Sequence, residues 1–221
     1  MLTLVLTRHG MTGRSVPEQH LGQRLDEPLS PEGRDQAGRL ARRLEGIAFE
    51  RVCSSPLVRA RETAEIVGGR QPVETDRRLI EMDYGEWEGL TYGQIDERDA
   101  ARRRAWEHDP SALRCPGGES GNDVAARAAG FLADLLDDHV ARHGSRHEDR
   151  AVLAVAHSSL NRVLMCVALG LPIREFRRRF SQGNANLTVL RFEHGDGPSD
   201  ARLIVLNDHS HLVEPGEPPW E

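Results

Sequence analysis

Residues 2–12 read LTLVLTRHGMT. Leu2 to Leu6 is an apolar run broken only by Thr3, and it ends on residues of another kind, Arg8-His9-Gly10. A run this short and this apolar fits a strand buried on both faces. It carries no basic leader and no cleavage site, so it reads as a strand and not as a signal peptide.

The pattern repeats along the chain. Ser30-Pro31 is a helix start, with Ser as N-cap and Pro at the first position, and Ala37, Leu40, Ala41 and Leu44 follow at helical spacing. Arg51 to Ser54 reads as a second strand. Ser55-Pro56 repeats the start signal before Leu57, Ala60, Ala64 and Val67, and Gly68-Gly69 ends that helix. A long amphipathic helix is expected from about Asn122 to His143. Ala151 to Ala156 is another apolar strand, followed by a helix through Leu160, Val163, Leu164 and Val167 that closes at Gly170 and Pro172. Leu187 to Phe192 and Leu203 to Leu206 read as late strands. Alternating buried strands and helices imply an α/β fold: a three-layer α/β/α sandwich with a mostly parallel sheet. The segment from Arg77 to Gly118 breaks the rhythm with Tyr84, Trp87, Tyr92 and Trp106 among charges, and suits an inserted cap. One domain over residues 1–211 and a Pro-rich tail over 212–221 complete the organisation.

The 221 residues carry a formal charge of −6, with 29 % charged and 38 % hydrophobic residues. That suits a globular chain with no global pull toward nucleic acid. No apolar stretch reaches the ~18 residues of a membrane span. Every Lys/Arg position is Arg, which excludes Schiff-base chemistry on a lysine. The three cysteines, Cys53, Cys115 and Cys166, are far apart and fit a reduced, cytoplasmic chain.

In open α/β sheets ligands sit beyond the carboxyl ends of strands. Three such ends carry unusual residues: Arg8-His9-Gly10; Ser54-Ser55-Pro56 with Arg59 one turn on; and His157-Ser158-Ser159. A helical side chain leans toward its N-terminus, so Arg59 reaches the same mouth. Two His and two Arg at one sheet edge suit a phosphate. Arginine forks pair with phosphoryl oxygens, helix N-termini offer N–H groups, and a neutral imidazole attacks phosphorus without a metal where the charge is already offset.

These residues resemble the histidine phosphatase superfamily, also called phosphoglycerate-mutase-like. Arg8-His9-Gly10 with Thr12 matches its opening RHGxT motif. Asp26, Pro28-Leu29-Ser30, Gly33 and Gln36-Ala37 are similar to its second block. Ser54-Ser55-Pro56-Leu57, Arg59-Ala60 and Glu62-Thr63-Ala64 are similar to its third. Glu81 with Gly85, Trp87, Glu88 and Gly89, then Pro116-Gly117-Gly118-Glu119-Ser120, then Val155-Ala156-His157 follow in the family's order. The resemblance implies that His9 attacks phosphorus, that Arg8, Arg59 and His157 hold the phosphoryl oxygens, and that Glu81 is the general acid and base. Spacing alone does not choose Glu81 over Asp83, Glu86 or Glu88. Thr12, Ser15, Gly22 and Ser158 are further candidates for substrate contact. The resemblance implies no cofactor and no metal. The partner it implies is a small phosphorylated metabolite, with neither nucleic acid nor membrane; dimers are common in the family, which leaves a homodimer open.

The chain departs from the family at Met11, Ser15 and Ser158, where Glu or Gln, Asn, and Gly are usual. It lacks the mutases' Asn-rich stretch and their W-R-R-S block, which favours a phosphatase over a phosphoglycerate mutase. The complete set of nucleophile, clamp and acid disfavours a catalytically silent binding module; a phosphoprotein substrate stays open. His209 and His211 form an H-x-H pair, and His211 is a candidate pocket edge. His139, His143 and His147 recur every four residues and read as a solvated face. Arg102–Arg104 and Arg177–Arg179 read as charged helix surfaces.

Overall fold

In the computed structural model the chain runs β1 (Leu2–Arg8), α1 (Pro31–Arg43), β2 (Phe49–Ser54), α2 (Val58–Gly68), β3 (Val73–Thr75), α3 (Tyr92–His108), α4 (Gly121–His143), β4 (Arg150–Ala156), α5 (Ser158–Ala168), α6 (Phe176–Arg179), β5 (Leu187–Phe192) and β6 (Arg202–Asp208). The structure describes residues 1–144, 149–193 and 195–213; His147 and the Pro-rich end from residue 215 lie outside them.

The six strands lie in the order β3-β2-β4-β1-β5-β6. β3, β2, β4 and β1 are mutually parallel, and β5 runs antiparallel to β1 and to β6. The apolar run at the N-terminus is explained by the layers. Leu2, Leu4 and Leu6 face one buried cluster with Val124, Leu132 and Leu135 of α4 and Leu160 and Leu164 of α5. Val5 faces the other, with Ala37 and Leu40 of α1 and Ala60 and Ala64 of α2. Alternate side chains of a strand point to opposite faces, so a strand covered on both sides must be apolar throughout. The sheet is mostly parallel and three-layered, as expected. The short β3 has no such signature: its residues are half-buried or exposed, so no apolar run marked it.

Helix starts follow local chemistry in two places. Ser30 accepts a hydrogen bond from Gly33 N ahead of α1, and Ser120 forms a capping box with Asp123 ahead of α4. The Ser55-Pro56 signal does not act this way. α2 begins at Val58, its N-cap position is Leu57, and no side chain of that residue caps it.

Between β3 and α4 the chain makes short 3-10 turns at Arg77–Leu79 and Gly85–Trp87 before α3. Trp87 and Trp106 meet edge to face at 5.7 Å and are buried in the same cluster as α4 and α5. Gly85 and Gly118 let two backbone segments touch. A Cβ on Gly85 would lie 2.0 Å from Pro116 O, and one on Gly118 would lie 2.2 Å from Asp83 O.

Candidate active site

Parallel pairing brings β1, β2 and β4 to a common edge: Arg8 is level with Ala156, and Ser54 with Val155. His9 N donates to Ala156 O at 3.0 Å and Ser55 N to Val155 O at 3.0 Å, so His9, Ser55 and His157 leave the sheet side by side. The His9 and His157 rings are 5.1 Å apart and inclined by 61°.

His9 is 4 % exposed. Its Nδ1 donates to Gly10 O at 2.7 Å, which leaves the lone pair on Nε2. Burial pushes its pKa well below 6.5, and Arg59 and Arg8 push it the same way. The ring is therefore neutral at pH 7. Gly10 N donates to Thr63 Oγ1 at 3.1 Å, and a Cβ on Gly10 would lie 2.4 Å from Gly33 O, so only glycine fits between β1 and α1. Asn184 Nδ2 and Ala185 N both donate to His9 O, which braces the turn from behind.

His157 is fully buried, with Nε2 2.7 Å from Ser55 Oγ. That hydroxyl also accepts from Leu57 N; in the tautomer where it donates its own proton to His157 Nε2, the ring carries its proton on Nδ1. Burial first, then Arg59 and His9, lower the His157 pKa far below 6.5. The use of Ser55 by His157 explains why Ser55 does not cap α2. Asp26 Oδ1 takes that role, accepting from Val58 N at 2.7 Å.

Arg59 is fully buried. It donates to the carbonyls of Leu25, Leu21 and Gly22, with its terminal nitrogens at 3.0, 3.3 and 2.8 Å. Arg8 donates to Gln182 O at 3.0 Å and lies 3.6 Å from Glu18. Arg8 Nε, Arg59 Nε and His157 Nδ1 are buried atoms with no partner among the described residues. Unpaired buried donors are costly, and an anion beside His9 is the group that suits these three.

Glu81 is 3 % exposed. Oε1 accepts from Met82 N and Leu160 N, and Oε2 from Ser159 N. Two amides in the first turn of α5, Ser159 N and Leu160 N, are thus taken by Glu81. The other carboxylates of its cluster have other tasks. Glu88 accepts from Arg24 N and Leu25 N, Asp83 from Gly85 N, and Glu86 pairs with Arg98.

A pocket opens here, and Arg8, His9, Ser15, Glu81 and Ser158 line it. Thr12, Gly22 and the fully buried Arg59 and His157 do not. Thr12 is buried, with its N–H on Ser15 Oγ; Gly22 offers its carbonyl to Arg59, and a Cβ there would lie 2.8 Å from Glu88 Oε2. Among the lining residues not singled out as site residues from the sequence are Arg14, His20, Arg162 and Arg177. Arg162 was legible in principle, because it follows Ser158 by four residues on one helix face. Arg177 is a correction. It turns inward, 4.8 Å over the Trp106 ring and donating to Tyr92 Oη, instead of lying on a charged surface.

The matches to known proteins agree with this geometry. The histidine phosphatase superfamily (branch 1) matches residues 4–203. The chain belongs to the histidine phosphatase superfamily. It is 40 % identical over 190 residues to glucosyl-3-phosphoglycerate phosphatase of Mycobacterium tuberculosis, covering 85 % of this chain and 84 % of that one. It is 30 % identical over 216 residues to phosphoserine phosphatase 1 of Hydrogenobacter thermophilus, covering 97 % and 96 %. The native structure of mycobacterial glucosyl-3-phosphoglycerate phosphatase superposes with a TM-score of 0.83 at 37 % identity, covering 93 % of this chain and 98 % of that one.

In this histidine phosphatase each of the two late histidines faces a backbone carbonyl. His209 Nδ1 faces Asn207 O, and His211 Nε2 faces Ala185 O. His211 stays outside the His9 pocket but holds the residue whose N–H braces His9. His139 and His143 are not a plain solvated face: His143 Nε2 lies 2.8 and 2.9 Å from the two oxygens of Glu50, at the amino end of β2 and away from the pocket. Among the described residues no helix is long and apolar enough to cross a membrane.

Proposed function

We propose that this histidine phosphatase hydrolyses a small phosphomonoester through a phosphohistidine on His9. The observation that carries the reading is the state of His9: neutral, with Nδ1 occupied by Gly10 O and flanked by two guanidinium groups. Nε2 attacks phosphorus. Arg8 and Arg59 offset the charge on the transferring group, and His157 donates from Nδ1. Glu81, held by three backbone N–H groups, gives a proton to the leaving oxygen and later takes one from the water that cleaves the N–P bond. No step in this scheme calls for a metal, because the arginines supply the positive charge.

The segment over residues 77–118 acts as the cap. It contributes Glu81, Tyr84 and Tyr92 to the pocket wall. Ser15 and Ser158 are the substrate contacts we infer among the weaker candidates. A small metabolite fits the reading better than a phosphoprotein. The two named relatives act on glucosyl-3-phosphoglycerate and phosphoserine, both small. Three buried free cysteines suit a reducing, cytoplasmic setting.

The test is phosphate release across a panel of phosphomonoesters, with 3-phosphoglycerate plus 2,3-bisphosphoglycerate run alongside. Net release with an acid-labile phosphoenzyme is expected. Isomer exchange without release would make the chain a mutase, and the absence of both release and exchange would overturn the enzymatic reading.

A further inference from the structure

The His9 pocket holds more positive charge than a phosphate clamp requires. Besides Arg8, its wall includes Arg14, Arg162 and Arg177. Arg8 lies near Glu18, and Arg14 pairs with Glu27. Arg162 makes no hydrogen bond or ion pair to any described residue, and its Nε is buried. Arg177 has no carboxylate partner among the described residues. It is held by aromatic groups alone: 4.8 Å over Trp106, 6.0 Å from the Tyr92 ring, with one N–H on Tyr92 Oη at 3.1 Å. Arg162 and Arg177 line the same pocket; burial first, then Arg177, push the Arg162 guanidinium below its ordinary value, while Arg177, against its own burial, is raised by Tyr92 and Tyr84.

Two guanidinium groups on one pocket wall, partly buried and without a carboxylate partner among the described residues, carry a desolvation cost that no ion pair offsets. A fold keeps such a pair where a ligand supplies the missing charge. Glu81, the remaining carboxylate on this wall besides Glu18, is committed to the amides of Met82, Ser159 and Leu160 and does not serve them.

We propose that Arg162 and Arg177 form a second anion subsite in the His9 pocket, one that takes a carboxylate carried by the phosphorylated substrate. The inference rests on the reading of this pocket as a phosphomonoester site and narrows its substrate class. A carboxylate suits the pair because its two coplanar oxygens match the planar fork of a guanidinium. The aromatic frame fixes the plane of Arg177, so the subsite is set before the ligand arrives.

The experiment compares three ligands of similar length: 3-phosphoglycerate, glycerol 3-phosphate, which lacks the carboxylate, and 1,3-propanediol bisphosphate. Binding to the His9→Ala protein is measured by calorimetry and kcat/KM on the wild type. A preference of at least about tenfold for 3-phosphoglycerate over glycerol 3-phosphate is expected in both. Arg162→Met and Arg177→Met should each bring that ratio toward one, and Arg162→Lys should keep part of it; thermal melts check that each variant is folded. Wild-type turnover with no preference for the carboxylate overturns the subsite while leaving the phosphatase standing. Preference for the bisphosphate overturns the carboxylate class. Carboxylate-dependent binding without turnover supports the subsite and counts against the proposed hydrolysis. Neither turnover nor a binding difference overturns both.

Discussion

His9 Nδ1 donates to the carbonyl of its own neighbour, Gly10, across 2.7 Å. That contact fixes the tautomer and aims Nε2 outward. The phosphoenzyme should therefore carry phosphorus on Nε2, which NMR of the trapped intermediate distinguishes from Nδ1. His9→Ala should lose at least about a thousandfold in kcat with the fold intact. Phosphorus on Nδ1, or substantial residual turnover, would remove His9 from this role.

Glu81→Gln keeps the shape but neither gives nor takes a proton. Its loss should be on the order of a hundredfold or more for alkyl phosphates and far smaller for p-nitrophenyl phosphate, whose leaving group needs no acid. A series of leaving groups checks this; equal losses across it would count against the assignment.

Asp26 caps α2 at Val58 N and lies 3.9 Å from Arg59. Asp26→Ala should cost about 1 kcal/mol of stability, readable as a lower denaturation midpoint, with Asp26→Ser retaining part of it. An unchanged midpoint would show that the cap is replaced.

His20 is buried against Tyr84 and Tyr92, and burial lowers its pKa from 6.5 to about 4. Above pH 6.5 both folded and unfolded states are neutral at this ring. As pH falls toward 4, only the unfolded chain takes up the proton, so stability declines by about 3 kcal/mol from this group. His9 and His157 act in the same direction. Melting curves from pH 7 to pH 4 should drop steeply, and His20→Gln should flatten the drop.

Gly85 has φ of 56°, and a side chain there would meet Pro116 O at 2.0 Å. Gly85→Ala should destabilise by several kcal/mol, since strain and backbone overlap add. A melting temperature within a degree or two of the wild type would contradict this close approach.

Much of the fold was legible because burial dictates composition. Leu2–Leu6 and Ala151–Ala156 are apolar on both faces because helices cover both. Ser30 announced its helix because a cap is a local contact. Ser55 looked like a second cap and is not, because its hydroxyl serves His157, 102 residues away in sequence. β3 carried no signal because its pairing with β2, and not its side chains, makes it a strand.

The sequence by itself determined the α/β layering, the membership of His9, Arg8, Arg59 and His157 in one sheet edge, and the block order that resembles a known family. Those rest on periodicity and motif, which are properties of neighbours in the chain. The tertiary structure alone decided that Glu81 is held by the amides of Met82, Ser159 and Leu160 and that Arg177 turns inward onto Trp106. It alone placed Arg162 in the pocket without a counter-ion. Each of those depends on which distant backbone donors, rings and charges meet a side chain once the layers close.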